Sequence, residues 1–257
     1  MHENAIKLKK YVNWCRGVQC TPWILRLFLL GRMPYAPTYW QQHPSNILFI
    51  NKTTNKGAII TLIEEIKKLK EKALEEHIPI IMDDTLEVIQ KILEKNKPKR
   101  ILEIGTAVGY SAICFAQKLS EGAIIDTIEL DEERAKQAIE NIKKVGLEEV
   151  INVIIGNAVE VLETLNDTYD VIFIDANKGK YPIFFKEGMR LLNVGGVMFA
   201  DNILYKGYVM SDYNKHKQRT AVTNLREYIR LIKEDKRLET EILEVGDGLA
   251  ISKKICN

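Results

Sequence analysis

"LEIGTAVGYS", residues 102–111, decides how the rest of this chain is read. A short apolar run ends on Gly105, and Gly109 precedes a segment with helical spacing. Glycines at such a junction let a strand turn sharply into a helix and let backbone approach a ligand closely. The first helical turn then offers free N–H groups. The pattern Glu103-x-Gly105-x-x-x-Gly109 lacks the middle glycine of the dinucleotide fingerprint G-x-G-x-x-G. Taken alone, it fits either a ligand loop or a tight turn with no ligand.

The same alternation extends in both directions. β-Branched runs recur as "RILEIG", "AIIDTIEL", "VINVIIG", "YDVIFIDA" and "GVMFADN", separated by helical segments over 110–119, 131–145, 158–166 and 181–192. Strands alternating with helices of this length predict right-handed βαβ units and a parallel sheet covered on both faces. Upstream, "ITLIEEIKKLKEKALEEH" and "DDTLEVIQKILEKN" carry apolar residues at helical spacing. Downstream, a helix over 216–235 precedes "LETEILEVGDGLAISKKI", two strand-like runs joined at Gly246–Asp247–Gly248. The expected fold is α/β, with a mostly parallel seven-stranded sheet and a C-terminal antiparallel hairpin.

Composition is that of an ordinary globular protein, with 46% hydrophobic residues, 28% charged residues and a net charge of +2. The balance is uneven. Residues 1–58 hold eight Lys/Arg against one acid, for +7, which leaves −5 on residues 59–257. Trp14, Trp23 and Trp40 also lie in this first stretch. The expected division is therefore a basic N-terminal extension over 1–58 and a catalytic domain over 59–257. The run "PWILRLFLLG" is too short to span a bilayer and contains Arg26; it supports at most a weak amphipathic or partner-binding segment, and no membrane partner is expected. Cys15, Cys20, Cys114 and Cys256 show no disulfide framework, which fits a reduced, cytoplasmic protein.

The chemistry-bearing residues fall at successive strand ends, where open α/β sheets bind ligands. After Glu103 and the glycines comes Glu129 in "TIELDEE", an acid placed to hold a ribose diol, with Asp131 as the cap of the next helix. "GNA" at 156–158 would line a base pocket. "FIDANKGKY" ends a buried run on Asp175, followed by Lys178, and "GVMFADN" ends on Asp201 and Asn202. Two carboxylates and an amide suit a hard cation such as Mg²⁺ and suit zinc poorly. Both acids would also serve as caps of the turns that follow them.

In order and spacing, "ILEIGTAVGYSA", "TIELDEE", "GNA", "FIDANKGKY" and "GGVMFADN" resemble the cation-dependent S-adenosylmethionine O-methyltransferases, the catechol and caffeoyl-CoA group. The stretch "HIPIIMDDTLEVIQKILEKNKPKRILEIGTAVGYS" is similar to the bacterial tRNA 5-hydroxyuridine methyltransferases. The resemblance covers residues 62–255 and implies a Rossmann-like class I methyltransferase fold. It implies that Glu103, Gly105, Gly109 and Ser111 contact the methionine end of S-adenosylmethionine. Glu129 would hold the ribose, Asn157 and Ala158 the adenine, and Ile81 would close over the donor. Asp175 falls in both the donor set and the metal set, the latter completed by Asp201 and Asn202, and Lys178 matches the general base.

The reaction this implies is Mg²⁺-dependent methylation of the 5-hydroxyl of 5-hydroxyuridine at the wobble position of tRNA, giving 5-methoxyuridine, by a homodimer. A small phenol is the first alternative acceptor. A nicotinamide oxidoreductase is disfavoured by the missing glycine, and a catalytically idle RNA-binding protein by the intact donor, metal and base positions. The extension departs from the family pattern. It reads either as a basic arm, rich in Trp and Tyr, that contacts RNA or as an upstream read-through or misassigned start, disordered or loosely packed. Lys206, Lys215, Lys217 and Arg219 are further candidates to meet phosphates, or simply solvated charges. His77 and His216 are expected at the surface.

Overall fold

A computed structural model describes residues 56–211 and 218–257. Nearly all of the 1–58 extension, together with Lys215, His216 and Lys217, lies outside the described residues. Helix α1 (Lys56–Glu75) leads to α2 (Asp83–Asn96). Asp83 and Asp84 in the first turn of α2 and Lys95 in its last complement the helix dipole. Leu86, Ile89 and Leu93 form its buried stripe.

The alternating section then runs β1 (Arg100–Ile104), α3 (Tyr110–Ala116), β2 (Ile124–Glu129), α4 (Glu132–Lys144), β3 (Ile151–Ile155), α5 (Ala158–Thr164), β4 (Tyr169–Ile174), α6 (Tyr181–Leu191) and β5 (Leu192–Ala200). Helix α7 (Arg219–Glu234) and the antiparallel strands β6 (Leu238–Leu243) and β7 (Leu249–Lys254) complete it. Asp131 caps α4 as expected, accepting from the amides of Glu133 and Arg134 at 3.0 Å each.

The sheet has seven strands in the order β3-β2-β1-β4-β5-β7-β6. The first five pair in parallel; β7 joins β5 antiparallel and leaves β6 at the edge. The hairpin thus inserts its second strand beside β5 before its first closes the sheet. Alternate residues feed two cores. Ile101, Val171, Phe173, Val197 and Phe199 pack with α2 and α3, while Leu102, Ile104, Ile172, Ile174 and Met198 pack with α6 and α7. Burial on both faces explains why the central strands read as continuous apolar runs.

Strand order reverses between β1 and β4, the point at which open α/β sheets form a crevice outside the carboxyl ends of their strands. The strands are still in register at Ile104 and Ile174, and the Asp175 amide donates to the Ile104 carbonyl at 3.0 Å. At the next position Gly105 has φ +105°, and a Cβ there would stand 2.1 Å from the Asp175 carbonyl oxygen. Gly105→Ala is therefore expected to destabilise the fold by at least about 2 kcal/mol, through both backbone strain and a clash with main chain. Urea denaturation checks this; a variant as stable as wild type would show that the β1–β4 junction can open at no cost.

Candidate active site at the carboxyl ends of the strands

Glu103 is fully buried in β1. The register sets Thr127 of β2 directly opposite, and Thr127 Oγ1 donates to Glu103 Oε2 at 2.5 Å. From the first turn of α3, Ser111 Oγ donates to Glu103 Oε1 at 2.5 Å. Thr106 and Thr127 share a hydroxyl–hydroxyl bond of 2.6 Å behind them. Burial pushes the Glu103 carboxyl up to about 7; the two hydroxyl donors oppose that, and the charges of Asp175 and Glu129 add to it.

Glu129 ends β2 with Oε2 accepting from the Ala107 amide at 2.7 Å and Oε1 from the Asp131 amide at 3.0 Å. These bonds fix the carboxylate beside the glycine turn and leave lone pairs for a ligand. Asn157 is more committed. Its Oδ1 caps α5 through the Val159 amide at 3.1 Å, and its amide donates to Glu160 at 3.0 Å. Ala158 opens that helix, and Gly109 caps α3 with φ +82°. Ile81 is buried just ahead of α2, within the core.

Across the crevice, Asp175 follows β4 and Asp201 follows β5, with the Asp201 amide donating to the Ile174 carbonyl at 3.0 Å. The cap of the turn after β4 is Asn177, whose Oδ1 accepts the Gly179 amide at 2.9 Å. Asp175 instead meets Lys178, whose Nζ donates to Asp175 Oδ1 at 2.7 Å and to Tyr181 Oη at 2.9 Å. Asp201 is 1% exposed and accepts the amide of Asn202 at 2.7 Å. Burial raises its carboxyl to about 7, and the charge of Asp175 raises it further against the Asn202 bond and Lys178. Asn202 itself holds a left-handed φ of +54°.

The edge therefore carries two carboxylates and an amide, all oxygen donors, beside one ammonium. That set fits a hard divalent cation, because the buried Asp201 lacks a countercharge of its own. Among the described residues, no group of three or more His, Cys, Asp or Glu gathers as a metal site, at this edge or elsewhere, so a cation here would rest on two carboxylates and the Asn202 amide.

Several residues here escape a reading by motif. Thr127 was detectable as the polar residue two before Glu129, on the same strand face. Tyr181 looked like the start of a helix, yet its buried hydroxyl donates to the Asp201 carbonyl at 2.8 Å while accepting from Lys178. Asn224 of α7 donates to the Gly179 carbonyl at 3.0 Å and so braces the turn that carries Lys178. No local signal marks that contact. Lys206 and His77 are exposed, and Arg219 opens α7.

Comparison with known proteins finds relatives among the O-methyltransferases. The caffeoyl-CoA O-methyltransferase of Populus kitakamiensis is 27% identical over 75% of this chain and 87% of its own length. The catechol O-methyltransferase of Niastella koreensis is 31% identical over 64% of this chain and 77% of its own. In structure, the O-methyltransferase from Bacillus cereus, solved in complex with SAH, superposes with a TM-score of 0.68 at 27% identity, covering 74% of this chain and 90% of that one. The model of the O-methyltransferase family matches residues 56–255, and the chain belongs to that family.

Proposed function

We propose that this protein transfers the methyl group of S-adenosylmethionine to the 5-hydroxyl of 5-hydroxyuridine in tRNA, with Mg²⁺ or another divalent cation. The observation that carries the reading is the pairing, at one sheet edge, of the Glu103–Glu129 side with Asp175, Asp201, Asn202 and Lys178. The donor brings an electrophilic methyl group, so the protein must supply an oxyanion in line with it. A cation held by Asp175, Asp201 and Asn202 would lower the acceptor's pKa and fix its direction. O5 and O4 of 5-hydroxyuridine are adjacent oxygens, as in a catechol. The likeness of residues 77–111 to the tRNA enzymes favours the nucleoside. The relatives that are caffeoyl-CoA and catechol O-methyltransferases supply the second reading, a catechol-like phenol.

Lys178 is assigned as the base. Its Nζ is held by Asp175 and the Tyr181 hydroxyl. Asp175 Oδ1 cannot serve a cation and the ammonium equally, so a cation taking Asp175 would release Nζ to turn toward the acceptor hydroxyl and receive its proton. Glu103 would face the donor's α-ammonium, with Ser111 and Thr127 fixing its orientation.

Glu103 gives a test of the donor side. Its carboxyl is raised from 4.5 to about 7. It therefore contributes stability below pH 4.5 that is lost as pH rises through 7, at most about 3 kcal/mol. Glu103→Gln should flatten that slope in chemical denaturation. Since a bound ammonium favours the ionised form, donor binding at pH 6–7 should release a proton, seen as buffer-dependent calorimetric heat. Heat independent of the buffer would place the ammonium elsewhere.

The metal side is tested by turnover. Asp175→Ala and Asp201→Ala should each lower it by at least on the order of a hundredfold. Chelator should do the same to wild type until Mg²⁺ is restored. Full activity in chelator would reduce the two acids to structural roles.

The acceptor is settled by salt dependence on two substrates. Residues 59–257 carry −5, so a polyanion needs local positive charge, which Lys206, Arg219 and the +7 extension would supply. Methylation of tRNA bearing 5-hydroxyuridine should fall steeply between low and physiological salt, whereas that of free catechol should change little. Deleting residues 1–57 should flatten the tRNA slope. Activity on catechol with tRNA untouched would leave the phenol reading standing.

A further inference from the structure

The segment after Asn202 is built unlike the rest of the domain. Tyr205, Lys206 and Gly207 are consecutive left-handed residues, with φ of +47°, +56° and +76°. Two of them are bulky, and each such residue costs about 1 kcal/mol or more unless its surroundings impose the conformation.

The imposing groups come from two distant elements. In the β6–β7 turn, Asp247 Oδ1 accepts the Lys206 amide at 2.6 Å, and the Asp247 carbonyl accepts the Leu204 amide at 3.0 Å. The Gly248 carbonyl accepts the Ile203 amide at 3.0 Å. From α7, Arg226 Nε donates to the Val209 carbonyl at 3.0 Å, and Nη2 donates to the carbonyls of Tyr208, at 3.3 Å, and Ser211. The same turn also reaches the other side of the crevice. The Gly246 amide donates to Asp84 Oδ2 at 2.9 Å, and a Cβ on Gly246 would lie 2.4 Å from Thr85 Oγ1. Asp84 and Thr85 open the helix that follows Ile81.

We propose that Asp247 and Arg226 are positioning residues that hold segment 203–211 as the acceptor-side wall of the site, with the β6–β7 turn tying that wall to the donor-side segment at Asp84. The proposal rests on the methyltransferase reading above for what the wall faces. Its mechanical part rests on the hydrogen bonds alone. A charged side chain gripping two or three main-chain groups of an irregular segment replaces the ladder that regular structure would provide. Neither residue touches the reacting atoms, so their loss should act through the wall. The acceptor should be misplaced while the donor site stays intact.

The experiment compares Asp247→Ala, Asp247→Asn and Arg226→Gln in the full chain. Asn keeps an oxygen that can accept the Lys206 amide. For Asp247→Ala and Arg226→Gln, the acceptor KM should rise tenfold or more, and the affinity for S-adenosylmethionine should stay within twofold. Asp247→Asn should recover most of the loss. Hydrogen exchange should speed up at 203–211 in Asp247→Ala and Arg226→Gln, with β4 and β5 unchanged, and stay near wild type in Asp247→Asn. Unchanged exchange at 203–211 would overturn the proposal, as would an Asn variant no better than Ala. If Asp247→Ala fails to fold, Arg226→Gln carries the same two readouts. A wild type that methylates neither tRNA nor catechol would retire the acceptor reading, and the exchange data would still decide the clamp.

Discussion

The site depends on one close approach of main chain to main chain. β1 and β4 remain paired through Ile104 and Ile174, and the crevice begins one residue later, where Gly105 makes room for the Asp175 carbonyl. Any side chain at 105 would push the two strand ends apart. Asp175 would then lose its direction, and so would the turn capped by Asn177 that delivers Lys178. Glu103 lies two residues before the glycine and is oriented by the same junction. The positions of Glu103 and Asp175 are therefore set by one backbone contact.

Around that contact the protein concentrates negative charge. Glu103, Glu129, Asp175 and Asp201 end three neighbouring strands and the one beside them, with Lys178 the ammonium among them. Burial and mutual repulsion hold Glu103 and Asp201 near 7, far above the usual carboxylate range. Such an arrangement opposes folding and persists because two apolar layers, one on each face of the sheet, supply stability elsewhere. A site of this kind gains most from positively charged ligands. A sulfonium donor with its α-ammonium and a divalent cation are both positive, so the proposed ligands would relieve the repulsion among these carboxylates.

Much of this was legible in the sequence because it is local. Strand and helix periods gave the order of elements, Asp131 announced its own cap, and Glu129 stood at the tip of an apolar run. What stayed hidden depends on register and on long-range hydrogen bonds. That Thr127 faces Glu103 follows from how β1 and β2 pair, which no single segment encodes. Asp247 looked like a hairpin residue, yet its carboxylate binds an amide 41 residues away in sequence. Tyr205 and Lys206 have no preference for the left-handed conformation they adopt; their anchors impose it. Asp201 and Asn202 read as a unit, although the bond that joins them is main chain to carboxylate.

The division between a rigid frame and a held segment also bears on specificity. Lys178 is fixed from three sides: the Asp175 carboxylate, the Tyr181 hydroxyl and the Asn224 brace on Gly179. Tyr181 is in turn packed edge-on against Tyr228 at 5.4 Å and bonded to the carbonyl of Asp201. Lys178, Asp175 and Asp201 thus share a single packed unit that leaves little room for variation. Segment 203–211 buries Ile203 and Val209 in the core, while the backbone between and beyond them is held by Asp247 and Arg226. Relatives named for catechol and for caffeoyl-CoA are 31% and 27% identical to this chain. On the proposed reading, a frame that fixes Asp175, Asp201 and Lys178, joined to a segment anchored separately by Asp247 and Arg226, would let the acceptor change without moving those three side chains.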